Sequence, residues 1–261
     1  MAGQEDRPFR GGPSLNPLRM LTNVYIDGFN LYYGLLVDTP YKWLDIRKLC
    51  QLLLPGDTIR NIVVCTASVT SKPSDPNQPM RQQTYFRALR TTPGLSIVLG
   101  TFRTSTRWAP LVTPFPTGTT PTWLESSGLP RPPFGTPYVS VMNDGSHRVN
   151  IHKVEEKGSD VNLATHLLID GFQGAYDQAV VISNDTDLIT PISYVVGILG
   201  RRVILMPPCR PKTGQRAPTG HKTLRDAASK TMQILDRHLA ACQFPPTLTD
   251  LHGIITKPAS W

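Results

Sequence analysis

Apolar residues along the chain fall into short continuous blocks separated by stretches of longer period. "NVYI" (23–26) is such a block and predicts a buried strand. "FNLYYGLL" and "WLDIRKLCQLLL" follow with helical spacing, Leu44, Leu49, Leu52 and Leu53 sharing a face, and Pro55-Gly56 ends the second run. "IRNIVVCTASV" (59–69) predicts a strand, "RQQTYFRALRTT" a helix stopped by Pro93-Gly94, and "LSIVLGTF" (95–102) another strand. The pattern resumes with a helix over "SDVNLATHLLIDGF", Ser159 as its N-cap, and a strand over "QAVVIS". A helix over "DLITPISYVVGIL" follows, with Pro191 in its first turns and Gly200 past its end, then a strand over "RRVILM". "KTLRDAASKTMQILDRHLAA" predicts one amphipathic helix, with Leu224, Ala228, Met232 and Leu235 on one side. Residues 242–261 show no clear period.

Short apolar strands alternating with helices define an α/β fold: a mostly parallel sheet with helices on both faces, in three layers. Residues 103–147 interrupt it with a proline-rich insert, whose end holds a hairpin signal, Asn143-Asp144-Gly145 between two alternating runs. Residues 1–20 read as a flexible leader, 21–206 as the main domain, and 207–261 as a basic loop and a C-terminal helix packed on that domain.

Composition adds a constraint on partners. The chain has 261 residues, 39% hydrophobic and 18% charged, and this excludes wholesale disorder. Its net charge of +8 is uneven: residues 1–200 carry 17 Lys/Arg against 16 Asp/Glu, and residues 201–237 carry 9 against 2. A basic block suits a polyanionic partner, or is an ordinary solvated surface. The four cysteines show no CxxC spacing, so neither zinc nor a redox pair is indicated. No apolar run approaches the roughly 18 residues of a membrane span. A cytoplasmic protein with no membrane partner is the expectation, with homo-oligomerisation left open.

Chemistry in such folds sits beyond the carboxyl ends of the strands. "VYI" is followed there by Asp27-Gly28-Phe29-Asn30, and "VVIS" by Asn184-Asp185-Thr186-Asp187. Asp160 opens the helix after "EEKGS". Each acid also has a plainer use as a helix cap or turn residue. Crowded together, the four would repel one another, and a hard divalent cation such as Mg²⁺ would relieve that. Metal-assisted phosphodiester hydrolysis is the chemistry this set implies. A phosphoaspartyl nucleophile at Asp27 is less suited, because Phe29 stands where a second acid is needed. No GxSxG, Walker A or GxGxxG motif is present.

"YIDGFNLYYGLL", "KVEEKGSDVNLATHLLIDGF" and "AVVISNDTDLITPI" together resemble the bacterial NYN domains of the LabA/DUF88 kind, within the PIN-like nuclease superfamily, over roughly residues 22–206. The resemblance implies a PIN-like fold and a Mg²⁺- or Mn²⁺-dependent endoribonuclease acting on single-stranded or structured RNA. A catalytically inactive RNA- or protein-binding regulator is the alternative. In the family's pattern Asp27, Asp160, Asp185 and Asp187 are the metal set, Asn30 orients the first acid or the phosphate, and Lys157 stands near the phosphate. Asn184 departs from the family, where a small residue is common. Arg103, Arg107, Trp108, Trp123 and Arg131 of the insert suit a substrate flap, or anchor the loop on the sheet. Arg201, Arg202, Arg210, Lys212, Arg216 and Lys222 form the basic block that would lead RNA towards the acids.

Overall fold

The computed structural model describes residues 19–71, 73–111, 139–143, 146–210 and 220–261. The leader up to residue 18, most of the insert with Trp123 and Arg131, and the loop with Lys212 and Arg216 lie outside the described residues. Two compact units emerge, Met1–Gly100 with Gly158–Trp261, and Thr101–Lys157.

The first unit is built on parallel strands. β1 (Leu21–Asp27) leads into a short helix, α1 (Gly28–Leu31), that continues as a π-helical turn, Tyr32–Leu36. α2 (Ile46–Leu53), β2 (Thr58–Ala67), α3 (Gln78–Arg90) and β3, which begins at Leu95, complete its first half. Asp45 caps α2 by accepting the Lys48 backbone N–H at 3.0 Å. The strands pair in the order β3-β2-β1, all parallel.

After the insert the sheet grows from the other side of β1. α4 (Ser159–Phe172) precedes β6 (Gln178–Ile182), which pairs with β1. The numbers between belong to β4 (Val139–Val141) and β5 (His147–Lys157) of the second unit. α5 (Ile189–Gly197), β7 (Arg202–Leu205), α6 (Lys222–Ala227) and β8 (Lys230–Thr231) follow, with β7 on β6 and β8 on β7, again parallel. The order of strands reverses between β1 and β6, and ligands of open α/β sheets bind at such a switch point.

Strand alternation sends side chains to two separate cores. Val24, Ile26, Ile62 and Val64 pack under α1, α2 and α3 on one face. Tyr25, Val63 and Cys65 pack under α4, α5 and α6 on the other. The α/β architecture with a mostly parallel, helix-covered sheet therefore stands as the sequence predicts.

Three local expectations for the first unit differ from the structure. α4 takes its cap from Gly158, at φ 95°, rather than from Ser159, which is buried as its first residue. Residues 222–241 form two helices, α6 and α7 (Asp236–Ala241), rather than one. The open edge of β7 recruits the segment between them: Ser229 N–H donates to Val203 O at 3.0 Å and Met232 N–H to Leu205 O at 2.9 Å. The third difference is the aperiodic tail, which folds into a hairpin, β9 (Thr247–Asp250) and β10 (Gly253–Thr256). Arg87 of α3 binds Asp250 with two hydrogen bonds, 2.9 and 2.7 Å, and holds that carboxyl down at about 2.

In the second unit β3 continues to Pro110, beyond the residue 102 at which the sequence ends it. Thr101 to Pro110 pair antiparallel with β5 in register, from Thr101 opposite Lys157 to Pro110 opposite Arg148. β-branched threonines at alternating positions suit that extension. β4 pairs with β5 as the hairpin signal suggests.

Trp43 ties the tail to the first core. It is fully buried, its indole N–H donates to Pro245 O at 2.8 Å, and its ring meets Tyr85, Phe244 and Trp261 at 5.9–6.2 Å. Trp43→Ala is expected to lower unfolding stability by about 3–5 kcal/mol. Urea denaturation followed by far-ultraviolet circular dichroism checks this, and a loss below ~1 kcal/mol would contradict the packing described.

Candidate functional site

The switch point carries the polar end of the central strand. Asp27, 4% exposed, ends β1 and caps α1, accepting the Asn30 backbone N–H at 2.9 Å on Oδ1. Its Oδ2 accepts the Asn30 side-chain N–H and the Ser183 hydroxyl, the latter at 3.2 Å. Asn30 Oδ1 accepts the Asn184 backbone N–H at 3.3 Å, and Asn184 Oδ1 accepts the His221 backbone N–H at 2.9 Å. One carboxylate thus ties the ends of β1 and β6 to the start of α6. Gly28 is needed for the tight turn, since a Cβ there would lie 2.8 Å from Thr66 Cβ. Burial raises the Asp27 carboxyl above the usual carboxylate range; its hydrogen bonds from Asn30 and Ser183 oppose this, and the Asp185 charge adds to it.

The other acids are less concentrated than the sequence suggests. Asp185 caps a single 3₁₀ turn, Thr186–Leu188, accepting the Asp187 backbone N–H at 2.9 Å, and its own N–H donates to Ser183 Oγ at 3.1 Å. Asp187 lies in that turn, and Asp160 in the first turn of α4, where a negative charge suits the helix dipole. Among the described residues no three His, Cys, Asp or Glu side chains come together in a way that could hold a metal ion.

The basic residues are spread out. Arg201 and Arg202 stand at the amino end of β7, the edge of the sheet opposite to the acids. Arg201 pairs with Asp177 at 3.8 Å, Arg210 with Asp236 at 3.1 Å and Lys222 with Asp226 at 3.1 Å. In the second unit Arg103, Arg107 and Lys157 are exposed on paired strands, with Lys157 3.4 Å from Glu155 and Lys153 also paired to it. Register puts Arg103, Arg107, Lys153 and Lys157 on one face of that ribbon, and burial together with the Arg107 and Lys157 charges lowers the Lys153 pKa. Trp108 is exposed on the other face. Lys212 lies outside the described residues.

The sequence gives no sign of a deep concave feature of the first unit. A cavity of about 470 Å³ lies beneath α1 and the π-helical turn, bounded by β2, α2, α3 and the tail. This is within the roughly 300–1,000 Å³ usual for small-molecule sites. Phe29, Tyr32, Tyr33, Tyr85, Phe86 and Trp261 supply aromatic walls. Phe29 and Tyr33 stack at 6.1 Å, and Tyr85 meets Trp261 edge-on at 5.7 Å. Lys42, Arg81, Asp38, Asp75 and Gln78 are its main polar groups. These residues come from α1 through α3 and from the last residue of the chain, so no local motif marks them. Gly28, next to Asp27, also lines the cavity.

No family model matches the chain. It is similar to 6-hydroxy-3-succinoylpyridine 3-monooxygenase HspA of Pseudomonas putida, 28% identical over 264 residues that cover 94% of this chain and 76% of that protein. Among solved structures, it is similar to a protein of unknown function from Vibrio parahaemolyticus, with a TM-score of 0.45 and 13% identity over 84% of this chain and 94% of that one.

These findings correct the functional expectation. The relative is named for an oxygen-inserting reaction, whereas the expectation was a hydrolase, an endoribonuclease, with a non-catalytic regulator as its alternative. The Mg²⁺ or Mn²⁺ cofactor falls with it: Asp27 and Asp185 serve as caps, and among the described residues no cluster of three possible ligands forms. Among the described residues no helix is long and apolar enough to cross a membrane.

The raised Asp27 pKa has a measurable sign. The folded protein holds this proton more tightly than the unfolded chain, whose value is near 3.8. Stability linked to Asp27 is therefore fully present below that value and is lost as pH rises through the folded pKa. Urea midpoints of wild type and Asp27→Asn, measured from about pH 4 to about pH 7, are expected to shift in favour of the variant as pH rises. A gap that does not change with pH would contradict the burial argument.

Proposed function

We propose that the chain is an oxidoreductase of the monooxygenase kind, acting on a small aromatic compound bound in the cavity beneath α1. The observation that carries this reading is the similarity to the named monooxygenase along 94% of the chain. The aromatic walls and the cavity volume support it, because a flat ring packs well between such side chains.

At a ring C–H, one oxygen atom of dioxygen forms the new C–O bond and ends as a hydroxyl. The other leaves as water. A reduced nicotinamide supplies a hydride and is oxidised, and solvent supplies one proton. A resident dinucleotide does not fit the first strand-helix turn. There the Asp27 carboxylate already occupies the start of a four-residue helix and accepts the N–H that a phosphate would need. In this reading the reductant is a co-substrate.

The kinship to NYN and PIN-like domains is proposed alongside this, for architecture alone. The strand order β3-β2-β1-β6-β7-β8 and the acids at the β1–β6 switch support it.

The test is incubation of the full chain with 6-hydroxy-3-succinoylpyridine and other hydroxypyridines, reduced nicotinamide and oxygen-18 dioxygen. A product carrying one labelled oxygen, formed with consumption of the reductant, is expected. Absence of label from every product, with reduced flavin also tried, would overturn the reading.

A further inference from the structure

The cavity holds four charged side chains, and they are not equivalent. Arg81 is engaged by Asp75 in an ion pair. Asp38 is exposed, on backbone at φ 58°, a left-handed conformation that Asp tolerates better than most residues. Lys42 is half-buried, and among the described residues its ammonium has no carboxylate within ion-pair distance. A cation partly removed from water without a counter-ion is costly, and an anionic ligand offsets that cost.

A second polar group in the same wall is also unmatched. Gln78 Oε1 is buried and has no hydrogen-bond donor among the described residues. Buried acceptors are normally paired, so this one suits a donor on a ligand. Its neighbour Gln82 shows the contrast: it also lines the cavity, but its amide N–H donates to Ala67 O at 2.9 Å and its Oε1 accepts the Val69 N–H at 2.9 Å. Gln82 is used up by the fold, and Gln78 Oε1 is left over. The Tyr32 phenol keeps its proton, since burial and the neighbouring Tyr33 raise its pKa, so it remains a donor for a ring oxygen.

We propose that the cavity selects an aromatic ring bearing a carboxylate tail, with the tail on the Lys42 ammonium and a ring N–H or O–H donated to Gln78 Oε1. The assignment rests on the monooxygenase reading for the importance of the cavity, but binding alone tests it. Lys42 is then the specificity determinant for the acid and Gln78 for the hydroxylated ring edge. The aromatic walls accept the ring itself with little discrimination.

The probes are 6-hydroxy-3-succinoylpyridine, its methyl ester, and 3-succinoylpyridine without the hydroxyl. Binding is read by isothermal titration calorimetry on the full chain, without reductant. The acid is expected to bind wild type about tenfold or more tighter than the ester. Lys42→Met removes that preference and leaves ester binding unchanged, and Lys42→Arg restores it. Gln78→Leu weakens the hydroxylated ring and spares the ring without hydroxyl. Equal binding of acid and ester to wild type, no effect of Lys42→Met, or no binding of any probe overturns the assignment. Lys42-dependent binding without oxygen insertion supports the assignment and removes the monooxygenase reading, so the two failures are distinguishable.

Discussion

A carboxylate buried at the end of the central strand must be satisfied, and the surroundings of Asp27 are arranged to do this. Two hydrogen bonds from Asn30 fix the first strand-helix turn, and one from Ser183 fixes the end of the neighbouring strand. Asn30 and Asn184 carry the chain of contacts on to His221. The turn can be this tight because Gly28 lets α1 settle against Thr66. Gly34 plays a similar part, since a Cβ there would lie 1.9 Å from the Pro208 carbonyl oxygen. Together these contacts set where α1 and the π-helical turn run, and those elements roof the cavity.

The floor and far wall of the cavity depend on long-range packing. Tyr85 of α3 donates its hydroxyl to Leu44 O at 2.8 Å and meets both Trp43 and Trp261. The Arg87–Asp250 pair holds the terminal hairpin against α3, so Trp261 reaches the cavity at the end of a braced segment. The first and last thirds of the chain therefore meet at one concave surface. Aromatic side chains give it area with few rotatable bonds, so little ordering entropy is lost when a flat ligand enters.

Much of the scaffold is legible in the sequence because it rests on local rules. Apolar blocks such as "NVYI" and "QAVV" are short and rich in β-branched residues, which marks them as buried strands, and the helices between them show their period. The tail is not legible, because Trp261 and Phe244 are positioned by Trp43 and Tyr85 rather than by any repeat. The single C-terminal helix fails because the free edge of β7 outweighs helical periodicity at Ser229–Met232. The acids are seen in the right places, at strand ends, but residue type does not separate a cap from a metal ligand. Asp27 and Asp185 both accept backbone N–H groups at the starts of turns. The cavity residues Lys42, Gln78, Tyr85 and Trp261 form no spacing at all, so only the folded chain brings them together.

The proposed function places the ligand ring inside this cavity. A crystal structure of the chain with 6-hydroxy-3-succinoylpyridine tests it most directly. Ring density is expected among Phe29, Tyr32 and Tyr85, with a carboxylate oxygen about 3 Å from Lys42 Nζ and a ring donor at a similar distance from Gln78 Oε1. A ring bound elsewhere on the molecule, with the Lys42 ammonium left in solvent, would contradict it.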